Sequence, residues 1–239
     1  MTRRAIVAVA VPAALLVGGA AAGVWAGGSE GGSAPPAATA PPPATGTVPA
    51  PAPRPFSRIH WRRSRAVGLP YAGRLARGVR LPPEGRDFFT WDPVLKRSPD
   101  RWWRRYGHDR LIRTLLRVLR AYRAENPGAP RVGIGDISRP RGGDFGPRFG
   151  SIGHASHQNG LDVDVYYPRR DGRELRADRV RRIDRRLAQD LVDHFVAARA
   201  RYIFVGPHTR LRGPRRVVQV LAHHDDHLHV RLRPRRGGR

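Results

Sequence analysis

The chain has 239 residues, with 45 Lys and Arg against 19 Asp and Glu, a net charge of +26 and no cysteine. With 40% of its residues apolar, it suits one domain of ordinary size plus appendages, which excludes a wholly disordered chain. The missing cysteines exclude a disulfide framework, Cys-ligated zinc and a thiol nucleophile, so any chemistry rests on His, carboxylates, hydroxyls or a metal bound through N and O. Apart from Lys96 every basic side chain is Arg, spread through every segment rather than gathered into a stripe. That dispersion reads as compositional bias on a solvated surface. The other reading is a cationic surface that holds the protein near a polyanion.

In chain order, Arg3 and Arg4 are followed by the uncharged run Ala5 to Ala26, with Ala20-Ala21-Ala22 or Val24-Trp25-Ala26 as a small-residue cleavage site. Residues 1–26 are expected to be a signal peptide or a retained N-terminal membrane anchor, since about 20 apolar residues suffice to span a bilayer. Either places the protein outside the cytoplasm, in a periplasm or cell envelope. Residues 27–56 are rich in Gly, Ala and Pro, with almost no charge and no hydrophobic period, and read as an extended linker. Residues 57–239 then form the folded domain and keep 42 basic and 18 acidic residues, a net +24.

Within that domain Leu111, Leu115, Leu116, Val118, Leu119 and Tyr122 recur at helical spacing, predicting a helix over Asp109 to Ala124 that stops at Asn126-Pro127-Gly128. Leu187, Leu191 and Phe195 predict a second from Asp184 to Ala200. The β-prone runs Val132–Ile134, Leu161–Tyr166, Tyr202–Val205, Val217–Leu221 and Leu228–Leu232 predict strands. The expected fold is α+β, a small antiparallel sheet with flanking helices.

Six of the ten His fall in two short segments. In Gly153-His154-Ala155-Ser156-His157-Gln158-Asn159-Gly160-Leu161-Asp162-Val163-Asp164-Val165, strand alternation sends Leu161, Val163 and Val165 inward and Asp162 and Asp164 to the other face. His157, just before the Asn159-Gly160 turn, can fold back toward Asp164. In His223-His224-Asp225-Asp226-His227-Leu228-His229-Val230 the same alternation buries Leu228 and Val230 and sets His227 beside His229. Two His and one carboxylate with an open position is a ligand set for catalytic zinc and also for the facial triad of non-haem iron. The facial triad of the iron oxygenases sets its first His two positions from the carboxylate, whereas His157 and Asp164 are seven apart, which favours zinc.

The order His157, Asp164, His227-Leu228-His229 resembles the zinc peptidases that cut D-amino-acid peptides of the bacterial wall. Gly135-Asp136-Ile137-Ser138-Arg139-Pro140-Arg141-Gly142-Gly143, leading into Gly153-His154-Ala155-Ser156-His157, narrows the resemblance to the penicillin-insensitive murein endopeptidases. Gly78-Val79-Arg80-Leu81-Pro82, Tyr106-Gly107-His108, Ile203-Phe204-Val205 and the terminal His224 to Leu232 extend it over roughly Val67 to Pro234. The resemblance implies one zinc ion per domain held by His157, Asp164 and His229, with His154, His224 and His227 around the attacking water. Sister peptidases carry a carboxylate base three positions before the first His of the His-x-His pair. Here that position is His224, so the base is an imidazole. The implied substrate is the D-alanyl to diaminopimelate cross-bridge between peptidoglycan stem peptides; on the cationic-surface reading, anionic envelope polymers would be further partners. Serine-directed β-lactams would find no nucleophile to acylate.

Blander readings stand beside these. Asp162 reads as a hydrogen-bond acceptor that orients a ligand rather than as a ligand. Ser138 and Arg141 either grip substrate or belong to an ordinary turn. His223 is expected on the wrong strand face, and His60, His194 and His208 on the surface or in the core. The alternative functions are a wall-binding module without turnover and a basic nucleic-acid-binding protein. The latter leaves the export segment and the His clusters unexplained, so no nucleic-acid partner is expected.

Overall fold

The computed structural model describes residues 58–149 and 156–234. The export segment and linker expected over 1–56 lie outside the described residues. Among the described residues two α-helices and ten strands are formed, besides short 3-10 turns: β1 Arg65–Leu69, β2 Ala72–Ala76, β3 Val79–Arg80, β4 Phe88–Thr90, β5 Tyr106–Gly107, α1 Asp109–Glu125, β6 Val132–Ile134, β7 Asp162–Tyr166, α2 Arg185–Ala197, β8 Tyr202–Val205, β9 Val218–Val220 and β10 His227–Arg231.

The helices arise where their patterns and caps agree. The His108 side chain accepts the Arg110 N–H at 3.2 Å to start α1, and the stripe Leu111, Ile112, Leu115, Val118, Leu119 and Tyr122 is buried along one face. Asp184 caps α2 through the Leu187 N–H at 3.0 Å, and Leu187, Ala188, Leu191, Val192 and Phe195 are buried. The second helix ends at Ala197, short of the expected Ala200, because Arg199 takes a left-handed φ of 60°.

Six strands form one sheet in the order β4-β6-β7-β10-β8-β9. The central pairings β6–β7, β7–β10 and β10–β8 are antiparallel, as expected, while the outer pairings β4–β6 and β8–β9 are parallel. Leu161, Val163, Val165, Ile203, Val205, Leu228 and Val230 share one apolar core with the two helical stripes. Each fully buried Leu, Ile, Val or Phe there contributes about 1.5–3 kcal/mol. The opposite face of β7 and β10 carries Asp162, Asp164, His227 and His229. The register sets His229 against Asp164, Arg231 against Asp162 and His227 against Tyr166. A slip of one residue would put these groups in the core, so burial of Val163, Val165, Leu228 and Val230 fixes their meeting.

The hairpin β1–β2, the short pair β3–β5 and β4 carried no usable sequence signal, whereas β6 is the expected Val132–Ile134 strand. These strands are two to five residues long, and all but β4 (Phe88-Phe89-Thr90) contain Gly or Arg. The hairpin reaches the site through a turn: Gly142 bridges Arg74, its N–H donates to Arg139 O at 2.9 Å, and Gly143 N–H donates to Gln158 O at 2.9 Å. Gly142 has φ 71°, and a Cβ there would meet Gln158 O at 2.0 Å. Only glycine lets this turn press against the backbone next to His157.

Candidate metal centre

Three side chains from two strands and one turn converge. A ring nitrogen each of His157 and His229 and an Asp164 oxygen all lie within 4.8 Å of one another, and all three residues are buried. His157 is carried by the turn before β7 with a left-handed φ of 69°, a conformation that costs about 1–3 kcal/mol and persists only where the surroundings enforce it. Its Nε2 lies 3.3 Å from Asp164 Oδ1, and His229 Nδ1 lies 3.2 Å from the same oxygen.

The outer hydrogen bonds fix which nitrogen of each ring bears its proton. His157 Nδ1 is 2.9 Å from the Ile137 carbonyl, which can only accept, so Nδ1 carries the hydrogen and Nε2 presents its lone pair inward. His229 Nε2 is 2.9 Å from Asp162 Oδ1, so Nε2 carries the hydrogen and Nδ1 faces inward. Asp162 is fully buried and also takes Arg231 Nε at 2.5 Å. Asp164 Oδ1 is buried with no well-formed hydrogen bond, although three imidazoles surround it. Two lone pairs, each backed by an outer partner, and an anionic oxygen aimed at the same point fit a divalent cation.

The electrostatics agree. Burial opposes ionisation of Asp162 and Asp164, yet His229 beside Asp162 and the His157 and His227 charges beside Asp164 hold both carboxyls below the usual range, Asp162 at about 2. Burial likewise opposes charge on His229, but Asp162 and Asp164 lift it to about 9. Two buried anions thus draw a proton that a metal ion would replace.

Two more imidazoles flank the set. His227 Nδ1 is 2.7 Å from Asp226 Oδ1, and its Nε2 is 3.6 Å from Asp164 Oδ1. Burial lowers its basicity, but Asp164 and Asp226 outweigh this and raise its pKa. His224 Nδ1 donates to the Ala222 carbonyl at 2.7 Å, which leaves Nε2 its lone pair, and burial pushes its pKa down. The two ring centroids are 4.9 Å apart.

These groups line a cleft of about 500 Å³ that also takes in Tyr71, Pro93, Tyr166, Phe204, Leu221, Arg176 and Arg231. Of the residues singled out from sequence, His157, Asp164, His229, His224 and His227 come together there, and Asp162 stands behind His229. His154 lies outside the described residues. Ser138 is fully buried and Arg141 is exposed, neither is among the residues lining this cleft, and their segment carries the glycine turn described above. His223 sits in a turn at the cleft mouth rather than on a strand, with φ 64°. His60 and His208 are exposed and His194 is partly so.

Sequence reasoning missed the groups that brace the site. Arg104, fully buried, pairs with Asp136 and donates to Phe149 O at 2.9 Å, while its carbonyl accepts the Ile137 N–H at 3.0 Å. It therefore holds the segment whose Ile137 carbonyl orients His157. Among 44 arginines, no sequence signal distinguishes this one. Asp136 sat inside the motif and was the legible half of the pair.

A buried donor set of two His and one carboxylate, open to a cleft on an α+β scaffold, is of the kind that catalytic zinc sites use. The family pattern described as penicillin-insensitive murein endopeptidase matches residues 66–203, more than half of the chain. The chain belongs to that family. It is 34% identical over 104 residues to a Haemophilus influenzae protein of that name, covering 44% of this chain and 32% of the relative. A Yersinia pestis protein of the same name is 33% identical over 120 residues, 50% of this chain and 39% of the relative. One from Salmonella paratyphi B is 41% identical over 63 residues, 26% and 20% of the two chains. The matched stretch spans about a third of the length of the first two relatives.

Proposed function

We propose that residues 57–239 form a zinc peptidase domain that hydrolyses peptide cross-links of bacterial peptidoglycan, of the D-alanyl to diaminopimelate type, with one zinc ion held by His157 Nε2, Asp164 Oδ1 and His229 Nδ1. The observation that carries this reading is the tautomer pattern: Ile137 O and Asp162 turn one lone pair of each imidazole toward the Asp164 oxygen. The names of the relatives support the substrate class.

Zinc, when bound, is a Lewis acid that makes water a competent nucleophile near neutral pH and polarises a carbonyl. The remaining chemistry belongs to the chain. His224, neutral through burial and with Nε2 unsubstituted, takes the proton of the attacking water and returns it to the leaving amine. His227, held by Asp226 and made more basic by Asp164 and Asp226, donates to the developing oxyanion. His154 is assigned to the same group on resemblance. Residues 1–26 are proposed to export the chain and 27–56 to tether the domain within the envelope. Among the described residues no helix is long and apolar enough to cross a membrane.

The test is mass spectrometry of purified cross-linked muropeptide dimers incubated with the zinc-loaded full chain, its His157→Ala variant and a chelated sample. Conversion to monomers by the unmodified protein alone supports the reading, and product masses identify the bond. Bound zinc without conversion refutes turnover and leaves a wall-binding module.

A further inference from the structure

Among the described residues that line the cleft, only Arg176 and Arg231 carry a permanent positive charge. Each is fixed by a single side-chain bond. Arg176 Nη1 donates to Asp226 Oδ2 at 2.9 Å, and Arg231 Nε donates to Asp162 Oδ1 at 2.5 Å. A guanidinium offers five donors in a planar fork, so one bond fixes its direction and leaves most of the fork unused. No other side-chain hydrogen bond of either guanidinium is formed among the described residues. Their side chains are 34% and 18% exposed, reachable from the cleft and partly shielded from water.

Their placement follows from β10. His227, His229 and Arg231 alternate onto one face of this strand, and Asp226, which holds Arg176, precedes it. Arg176 is joined through Asp226 to His227, and Arg231 through Asp162 to His229, so the two cations stand on opposite sides of the His pair. Tyr71, Pro93, Phe204 and Leu221 line the same cleft with apolar surface for aliphatic parts of such a chain.

We propose that Arg176 and Arg231 are carboxylate anchors on either side of the His227 and His229 pair, and that the substrate class is an acidic peptide with a free carboxylate on each side of the scissile bond. The bond is thereby set over His157, Asp164 and His229. This proposal rests on the peptidase reading of the site and names the ligand chemistry that the site selects. A planar fork accepts a carboxylate through two parallel bonds, which a lysine cannot match.

The test uses the zinc-loaded full chain and its R176Q, R231Q and R231K variants. Two quantities are read: steady-state cleavage of a cross-linked muropeptide dimer, and calorimetric binding of an uncross-linked stem tetrapeptide. Both ligands are supplied with free carboxylates and with those carboxylates converted to amides. Each glutamine variant should raise KM and Kd for the acidic ligands about 10- to 100-fold, with zinc stoichiometry unchanged and kcat altered less than KM. The amidated ligands should bind all four proteins equally weakly. R231K, which keeps a cation beside Asp162 but lacks the fork, should retain zinc and fall between the unmodified protein and R231Q. Equal losses on acidic and amidated ligands, or a loss in kcat alone, would overturn the proposal, since the arginines would then only hold Asp226 and Asp162. Arg-dependent tetrapeptide binding without dimer cleavage would support the anchors and refute the peptidase reading. Cleavage with a KM indifferent to both arginines would do the reverse, and neither binding nor cleavage would refute both.

Discussion

Replacing Asp162 by Asn removes one negative charge and little else. Its Oδ1 takes His229 Nε2 at 2.9 Å and Arg231 Nε at 2.5 Å inside a fully buried environment. A hydrogen bond to an ionised acceptor is about twice as strong as a neutral one, so the exchange weakens each of these by about 1 kcal/mol. The weakened partner of His229 lowers the basicity of Nδ1 and frees the ring to adopt its other tautomer. Losing an outer partner of this kind costs about 10- to 100-fold in metal affinity, or about 1.4–2.8 kcal/mol. Zinc competition against a chelating dye should therefore show Asp162→Asn one to two decades weaker than the unmodified chain, with His229→Ala weaker still. Asp162→Ala should add a loss of metal-free stability of about 1–3 kcal/mol, because the His229 donor would be left buried and unpaired and Arg231 would lose its side-chain partner. A zinc affinity unchanged within twofold in Asp162→Asn would refute the assignment of Nδ1 as the inward atom of His229.

Three further outcomes follow from particular residues. His224→Ala should retain zinc and lose about 10²- to 10⁴-fold in kcat for dimer cleavage; loss of zinc instead would show that His224 holds the metal. Asp100 is buried beside Asp136, and its pKa is pushed from 3.8 up to about 9 by burial and by that carboxylate. The unfolded chain releases this proton near pH 4 and the folded one keeps it, so stability should fall as pH rises from about 4 toward 9. Asp100→Asn should flatten that slope in denaturant titrations, and an unaltered slope would exclude Asp100 as its source. Leu115→Ala, in the fully buried stripe of α1, should cost about 2–5 kcal/mol in urea unfolding; a loss below 1 kcal/mol would contradict the packing of α1 on the sheet.

The sequence by itself determined both helices, the strands that carry the site and the residues of the candidate donor set. The 3.6-residue period of Leu111 to Tyr122 and the capping Asp184 fixed both helices, because an apolar stripe and a satisfied N-terminus are local properties. The alternation in Asp162–Tyr166 and His227–Arg231 assigned Asp164 and His229 to the face opposite the core for the same reason. Only the tertiary structure decided what those residues meet. Pairing of β10 with β7 in one register sets His229 against Asp164, and the strands are separated by some sixty residues that carry no trace of that register. The tautomers depend on the Ile137 carbonyl and on Asp162, the brace on one arginine among 44, and the parallel outer strands on crossovers that close over long stretches of chain. Local periodicity reports which face a side chain takes. Which partner waits there is set by contacts between distant segments, and these exist only once the chain has folded.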